Sequence, residues 1–174
     1  PFRQEVFNVL LAQLLQERGV VTAPESIIKT GILQERRMPD VIVSFQGLRT
    51  TIEGEFDRGN DAEQRAINSA RKRVEESIAH IGLAVIYPSN LRIHDFSVLK
   101  KDLSHANLRF AIVTESHETE FAEGNVDQLE SSLRHAFEHL IEEDVVAQAV
   151  ALIDATIEKF ASVMSTKEGI MGRV

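Results

Sequence analysis

Three acidic residues in the first third of the chain have the spacing of a metal site. Glu53 and Glu55 alternate within Thr-Ile-Glu-Gly-Glu-Phe (51–56), and Asp40 lies upstream, at the start of the apolar run 41–43. In a β-strand alternate side chains point to one face, so the two glutamates would lie side by side. If the strand after Asp40 pairs with the glutamate strand, three carboxylates meet, and their repulsion favours binding of a hard cation.

The same residues also have an ordinary interpretation. Pro-Asp is a common turn or strand-entry dipeptide, and alternating glutamates on a half-exposed strand usually face water. Glutamate is a poor strand former, however, so two of them around Gly54 make a costly strand without a function. We therefore favour the metal site over the solvated face.

The elements predicted around these acids make an α/β domain. Buried apolar runs predict strands, and a helix between two of them predicts a crossover unit in a mixed sheet. In chain order we expect a helix at 2–18, strands at 26–29 and 39–45, a hairpin tip at Gln46-Gly47, a strand at 48–56, a helix from Asn60 to about His80, a strand at 82–87, a short helix at 96–103 and a strand at 108–113.

The helix after the glutamate strand has two recognisable sides. Asn60 and Glu63 have the spacing of a capping box at its start. The apolar row that would pack on the sheet is Ala66, Ala70, Val74, Ile78 and Ile81, and the polar edge that could overhang the carboxylates is Gln64, Asn68, Arg71, Lys72 and Glu75.

The last third of the chain is predicted to be helical. Asn125 and Gln128 form a second capping signature, and helical patterning runs from Val126 to about Met164 with a break near Glu143-Asp144. We expect a core over 1–124 that ends in a polar loop at 115–124. A C-terminal helical pair over 125–174 follows and packs on the same domain.

Pro39-Asp40 and Glu53-Gly54-Glu55 together resemble the PD-(D/E)xK motif of the restriction-endonuclease-like nucleases. Glu55 stands where most members have lysine, a departure shared with a minority of restriction enzymes. The order of predicted elements matches over roughly residues 1–115. The resemblance implies a three-layer α/β/α core with a mixed central sheet, here with a helical C-terminal extension.

The resemblance also implies a reaction, the Mg²⁺- or Mn²⁺-dependent hydrolysis of DNA in a restriction or defence system. Asp40, Glu53 and Glu55 would hold the metal, which lowers the pKa of the attacking water. Because Glu55 offers no positive charge to the phosphate, a cation must come from elsewhere. Lys72, or failing it Arg71, is the expected residue.

Composition sets bounds on these expectations. A chain of 174 residues with 43% hydrophobic residues has the composition of one soluble globular domain. It has no cysteine, no stretch long enough to span a membrane and no signal-peptide pattern, which fits a cytoplasmic protein. The net charge of −8 opposes simple wrapping by nucleic acid, although basic residues collect in the middle of the chain and acids over 115–144.

Other motifs are weaker. His135, Glu138 and His139 match the H-x-x-E-H zinc motif, but both histidines fall on the polar side of their helix and too little chain follows for the usual third ligand. Glu5 or Glu17 could add a metal ligand from the first helix, and the loop 87–90 follows a buried strand. A solvated glutamate and a plain turn are the favoured interpretations of these two features. Walker and nucleophile-elbow motifs are missing from the sequence.

Two alternatives stay open. The domain could be a catalytically inactive nuclease relic that serves as a DNA-binding or assembly module of a larger protein, as the glutamate at position 55 and the acidic charge suggest. It could instead be an oligomerisation domain, because the C-terminal helices are long and apolar. The expected partners are DNA, flanking domains or subunits of a restriction system, and a second copy of the chain.

Overall fold

The computed structural model describes residues 2–19 and 41–171, with side chains as far as Ser165. The predicted strand at 26–29 and the Pro39-Asp40 pair lie outside the described residues. The elements in chain order are α1 (Gln4–Glu17), β1 (Val41–Phe45), β2 (Leu48–Phe56), α2 (Ala62–Glu75), β3 (Ile81–Tyr87), a 3₁₀ turn (Ser89–Ile93), α3 (Phe96–His105), β4 (Leu108–Val113), β5 (Ala122–Gly124) and α4 (Val126–Met171). The expected mixed α/β class is confirmed.

The sheet has the order β1-β2-β3-β4-β5. β2 and β3 are parallel, and the other neighbouring pairs are antiparallel. Because parallel neighbours need a crossover connection, α2 follows β2 and leads to β3. β1 and β2 meet through a two-residue turn at Gln46 and Gly47, whose φ angles of 48° and 85° are both left-handed. The predicted hairpin tip is confirmed, and the turn fixes which residues of β1 and β2 face each other.

The central strand β3 is buried along its whole length, as its apolar run predicts. Helix α2 covers one face of the sheet through small residues, among them Ala66 and Ala70. A side chain on Gly82 of β3 would lie 2.5 Å from the backbone carbonyl oxygen of Ala70. The helix therefore approaches the strand closely because alanine and glycine meet there.

Helix α1 covers the opposite face. Phe7 packs against Phe56 and Tyr87, with ring centroids 5.2 and 5.4 Å away. The buried Tyr87 hydroxyl donates a hydrogen bond of 2.8 Å to the side-chain oxygen of Asn8. A methyl group on Gly54 would overlap both the Asn8 side chain and the Tyr87 ring. The glycine between the two glutamates is thus required by the packing on the far side of β2.

Two details of the predicted α2 are wrong. The helix ends at Glu75, and Ser77 turns the chain with a φ of 59°. Ile81 belongs to β3, although its spacing continues the helical row. At the other end, the N-cap is Asp61, without a side-chain capping bond, and Glu63 pairs with Arg109. The predicted capping box does not form because the N-cap is one residue later than predicted, and Glu63 contacts a strand residue instead.

The C-terminal prediction is correct at its start and wrong at its middle. Asn125 and Gln128 exchange reciprocal capping bonds of 2.8 and 3.1 Å. Helix α4 then continues through Glu143 and Asp144 to Met171, so there is one helix where a pair was expected. β5 lies in the expected loop 115–124.

The chain divides into two compact units, Pro1–His135 and Ala136–Val174, and the boundary lies inside α4. The first unit contains the sheet, α1 to α3 and the start of α4. The second contains the remainder of that helix, and its packing on the core stays a prediction. None of the described helices combines the length and the apolar character needed to cross a membrane.

Candidate functional site

Glu53 and Glu55 lie on the face of β2 that α2 covers. Glu53 is in register with Ala84 of β3, and Glu55 with Ile86. On the next strand, Ala84 is in register with Ala111 of β4, and Ile86 with Arg109. The two carboxylates are therefore neighbours on one face, as the alternation predicts, beside an apolar patch that supports α2.

Glu53 is held by an arginine of α2. The Arg73 guanidinium nitrogen Nε lies 3.0 Å from Glu53 Oε1. The side chains are only 18% and 15% exposed, respectively. Because both groups are largely withdrawn from water, their attraction is screened less than that of a surface pair. Each charge therefore stabilises the other.

Glu55 is held by a second arginine, Arg65, which lies nearer the start of α2 than Arg73. Arg65 Nε lies 3.6 Å from Glu55 Oε1, and Arg65 also pairs with Asp61 in the first turn of α2. The hydrogen bond from Arg65, and then its charge, lower the pKa of Asp61, and the hydrogen bond to Asp61 raises the pKa of Arg65. Since α2 runs back along β2, the later arginine meets the earlier glutamate.

A further acid extends the row at the end of β2. Asp57 follows Glu53 and Glu55 at the same two-residue interval. Arg109 of β4 binds it at 2.8 Å and also pairs with Glu63 of α2. Arg109 thus lies between two carboxylates, one just after β2 and one on α2. The continued alternation in the sequence is the signal that would have identified Asp57.

The cations predicted from the sequence have partners other than Glu53 and Glu55 among the described residues. Lys72 has a side chain that is 63% exposed, and it lies 3.8 Å from Glu76, its neighbour one turn on. Arg71 pairs with Glu118, and that hydrogen bond raises the pKa of Arg71. Arg73 contacts Glu53 and Arg65 contacts Glu55, and the sequence analysis assigned neither arginine to the site.

The two acids of α1 lie on the side of that helix that meets α3. Glu5 lines a groove of about 380 Å³ with Phe96 and Lys100 of α3. One of its carboxylate oxygens is buried without a hydrogen-bond partner among the described residues. Glu17 pairs with Lys100. These contacts place both acids beside α3. They lie on a helix that covers the face of the sheet opposite α2, and so opposite Glu53 and Glu55.

The histidine motif on α4 has the exposure expected of a polar face. His135 and His139 are both exposed, and His139 pairs with Glu143 one turn on at 3.0 Å. Among the side chains described in 2–19 and 41–165, no group of three or more histidine or acidic residues is placed to hold a metal ion. Of the three acids of the predicted metal site, Glu53 and Glu55 are among the described residues and Asp40 lies outside them.

Comparisons of the chain with protein-family models, with curated proteins and with solved structures returned no match.

Proposed function

We propose that this chain is the nuclease domain of a restriction or defence protein, and that it hydrolyses DNA with the help of Mg²⁺ or Mn²⁺. The observation that carries the proposal is the pair Glu53 and Glu55, two adjacent carboxylates on one face of β2, each matched by an arginine of α2. An all-oxygen donor set suits a hard divalent cation. The parallel β2-α2-β3 unit fits the order of elements that the nuclease resemblance implies.

The third ligand in this proposal is Asp40. Val41, which follows Asp40, pairs with Ile52, which precedes Glu53. Directly opposed residues of antiparallel strands point to the same face. The proposal therefore expects the Asp40 carboxylate to join Glu53 and complete a set of three. A metal held there would polarise the scissile phosphate and lower the pKa of the attacking water.

The arginines have two roles in this proposal. Before metal binding, Arg73 and Arg65 neutralise the gathered carboxylates, whose repulsion would otherwise oppose folding. If a cation took the carboxylate oxygens, the guanidinium groups could turn as donors to the phosphate oxygens of the substrate. Arg73 thereby supplies the positive charge that lysine gives in most related sites, a role first expected of Lys72.

The second candidate function is a nuclease-like module without catalysis. The observation in its favour is that arginines already satisfy both glutamates, so the site is electrostatically complete without a metal. In that case the ion pairs are structural, and the domain acts by binding DNA or by assembling with other subunits.

Cleavage of supercoiled plasmid DNA with Mg²⁺ or Mn²⁺ tests the proposal. We expect nicking that Asp40→Ala, Glu53→Ala and Glu55→Ala abolish, because each removes a metal ligand. Arg73→Ala should slow cleavage and leave Mn²⁺ binding intact, and Lys72→Ala on the same helix is its matched control. Calorimetric titration with Mn²⁺ separates the candidates. Absence of both binding and nicking would favour the inactive module.

A further inference from the structure

The second unit exposes an unusual amount of apolar surface. All of its side chains from Glu142 to Ser165 are exposed. Nine of them are large and apolar, namely Val145, Val146, Val150, Leu152, Ile153, Ile157, Phe160, Val163 and Met164. A helix that shows this much apolar surface to water requires a covering partner.

Six of the nine follow a regular spacing. Val146, Val150, Ile153, Ile157, Phe160 and Met164 are separated alternately by four and three residues, and we call these six side chains the seam. This is the spacing of the a and d positions of a coiled coil, where side chains of one helix insert between those of another with the same repeat. Such a pattern is complementary to itself, which identifies a second copy of the chain as a fitting partner.

The charges of this segment are compatible with that partner. Between Val145 and Met164 the charged residues are Asp154, Glu158 and Lys159, and none belongs to the seam. Two seams can therefore meet without placing like charges in direct opposition. The flanking Ala147, Ala149 and Ala161 are small enough for two helices to approach closely.

The surface is also large enough. The nine side chains are between 43% and 69% exposed. At the ~60–120 Å² per fully exposed side chain that transfer energies imply, these exposed fractions leave roughly 300–600 Å² of apolar surface per copy. A standard stable interface buries about 800 Å² per partner, of which a little over half, or about 450 Å², is apolar. We propose that the seam of one chain packs against the seam of a second copy, so that the protein associates through the C-terminal part of α4.

Light scattering during size-exclusion chromatography tests this proposal on the full 174-residue chain. We expect a mass of two or more copies for the wild type and of one copy for Ile153→Glu, which places a carboxylate in the middle of the seam. Ala155→Glu is the matched control. It adds the same charge two residues away, about 200° around the helix, and should keep the wild-type mass.

Mixing experiments make the test independent of folding defects. In a parallel pair position 153 meets its own copy, so Ile153→Glu mixed with Ile153→Lys should restore the associated state. In an antiparallel pair centred on the seam, position 153 meets position 157, and Ile153→Glu should be restored by Ile157→Lys. A wild type of one-copy mass at all concentrations would overturn the proposal. So would an associated mass that Ile153→Glu leaves unchanged.

Discussion

At the scale of single residues, Arg73 is the side chain on which the stability of the carboxylate pair depends most. Its contact with Glu53 is 3.0 Å and little exposed to water. Arg73→Ala should cost about 1–3 kcal/mol of unfolding free energy, because Glu53 keeps its burial and loses the hydrogen bond and charge of this guanidinium. The comparison is Arg71→Ala, whose more exposed pair with Glu118 should contribute much less to stability. Urea denaturation measures both.

Under the proposed function, Mg²⁺ or Mn²⁺ should recover more stability in Arg73→Ala than in Arg71→Ala, because the cation replaces the missing guanidinium at Glu53. An Arg73→Ala protein as stable as Arg71→Ala would show that the ion pair contributes little.

His80 gives the fold a dependence on pH. Its Nδ1 accepts the backbone N–H of Arg49 at 3.0 Å, and burial, followed by the charge of Arg49, lowers the pKa of His80 below the usual 6.5. The folded state therefore binds fewer protons than the unfolded state. The contribution of His80 is complete above pH 6.5 and is lost as the pH falls through the lowered pKa.

We expect the urea midpoint to fall as the pH is lowered from neutral to about 5, and His80→Gln to flatten that dependence. His105→Gln, which removes an exposed histidine at the end of α3, is the matched control. A wild-type slope retained in His80→Gln would assign the effect to other groups.

At the scale of elements, β2 has opposite requirements on its two faces. Glu53 and Glu55 meet the arginines of α2, and Gly54 between them leaves room for Asn8 and Tyr87. Alanine is normally preferred to glycine inside a strand. Here Gly54→Ala should instead destabilise by about 1–3 kcal/mol, because the added methyl group overlaps the packed side chains.

Thermal unfolding of Gly54→Ala and of the double variant Asn8→Ala/Gly54→Ala measures this effect. The double variant should cost less than the two single changes added together, because one of the overlapping groups is gone. Simple additivity would indicate that Asn8 already moves aside.

The sequence predicts elements best where one local pattern decides them. β2 has its predicted bounds because alternation, turn and end signals all fall within a few residues. The end of α2 was missed because Ile78 and Ile81 continue the helical spacing, although Ser77 has already turned the chain. Arg73 and Arg65 were missed for another reason. Their pairing depends on which side of α2 meets the sheet and on the direction in which the helix crosses it.

At the scale of the whole molecule, the two units differ in what covers their apolar side chains. In the first unit β3 is buried by the sheet and its helices, so its protection does not require a second chain. In the second unit the seam is exposed in a single copy. Its helix should therefore be stable only to the extent that copies associate, because a helix in a protein gains most of its stability from the packing of its apolar face.

Hydrogen–deuterium exchange across a series of protein concentrations distinguishes these two sources of stability. Amides of β3 should exchange most slowly and at a rate independent of concentration, since they open with the fold itself. Amides of 145–164 should become better protected as the concentration rises and lose that gain in Ile153→Glu. Ala155→Glu should keep it. Protection of 145–164 that is equally strong in dilute and concentrated protein would show that another part of the same chain covers the seam.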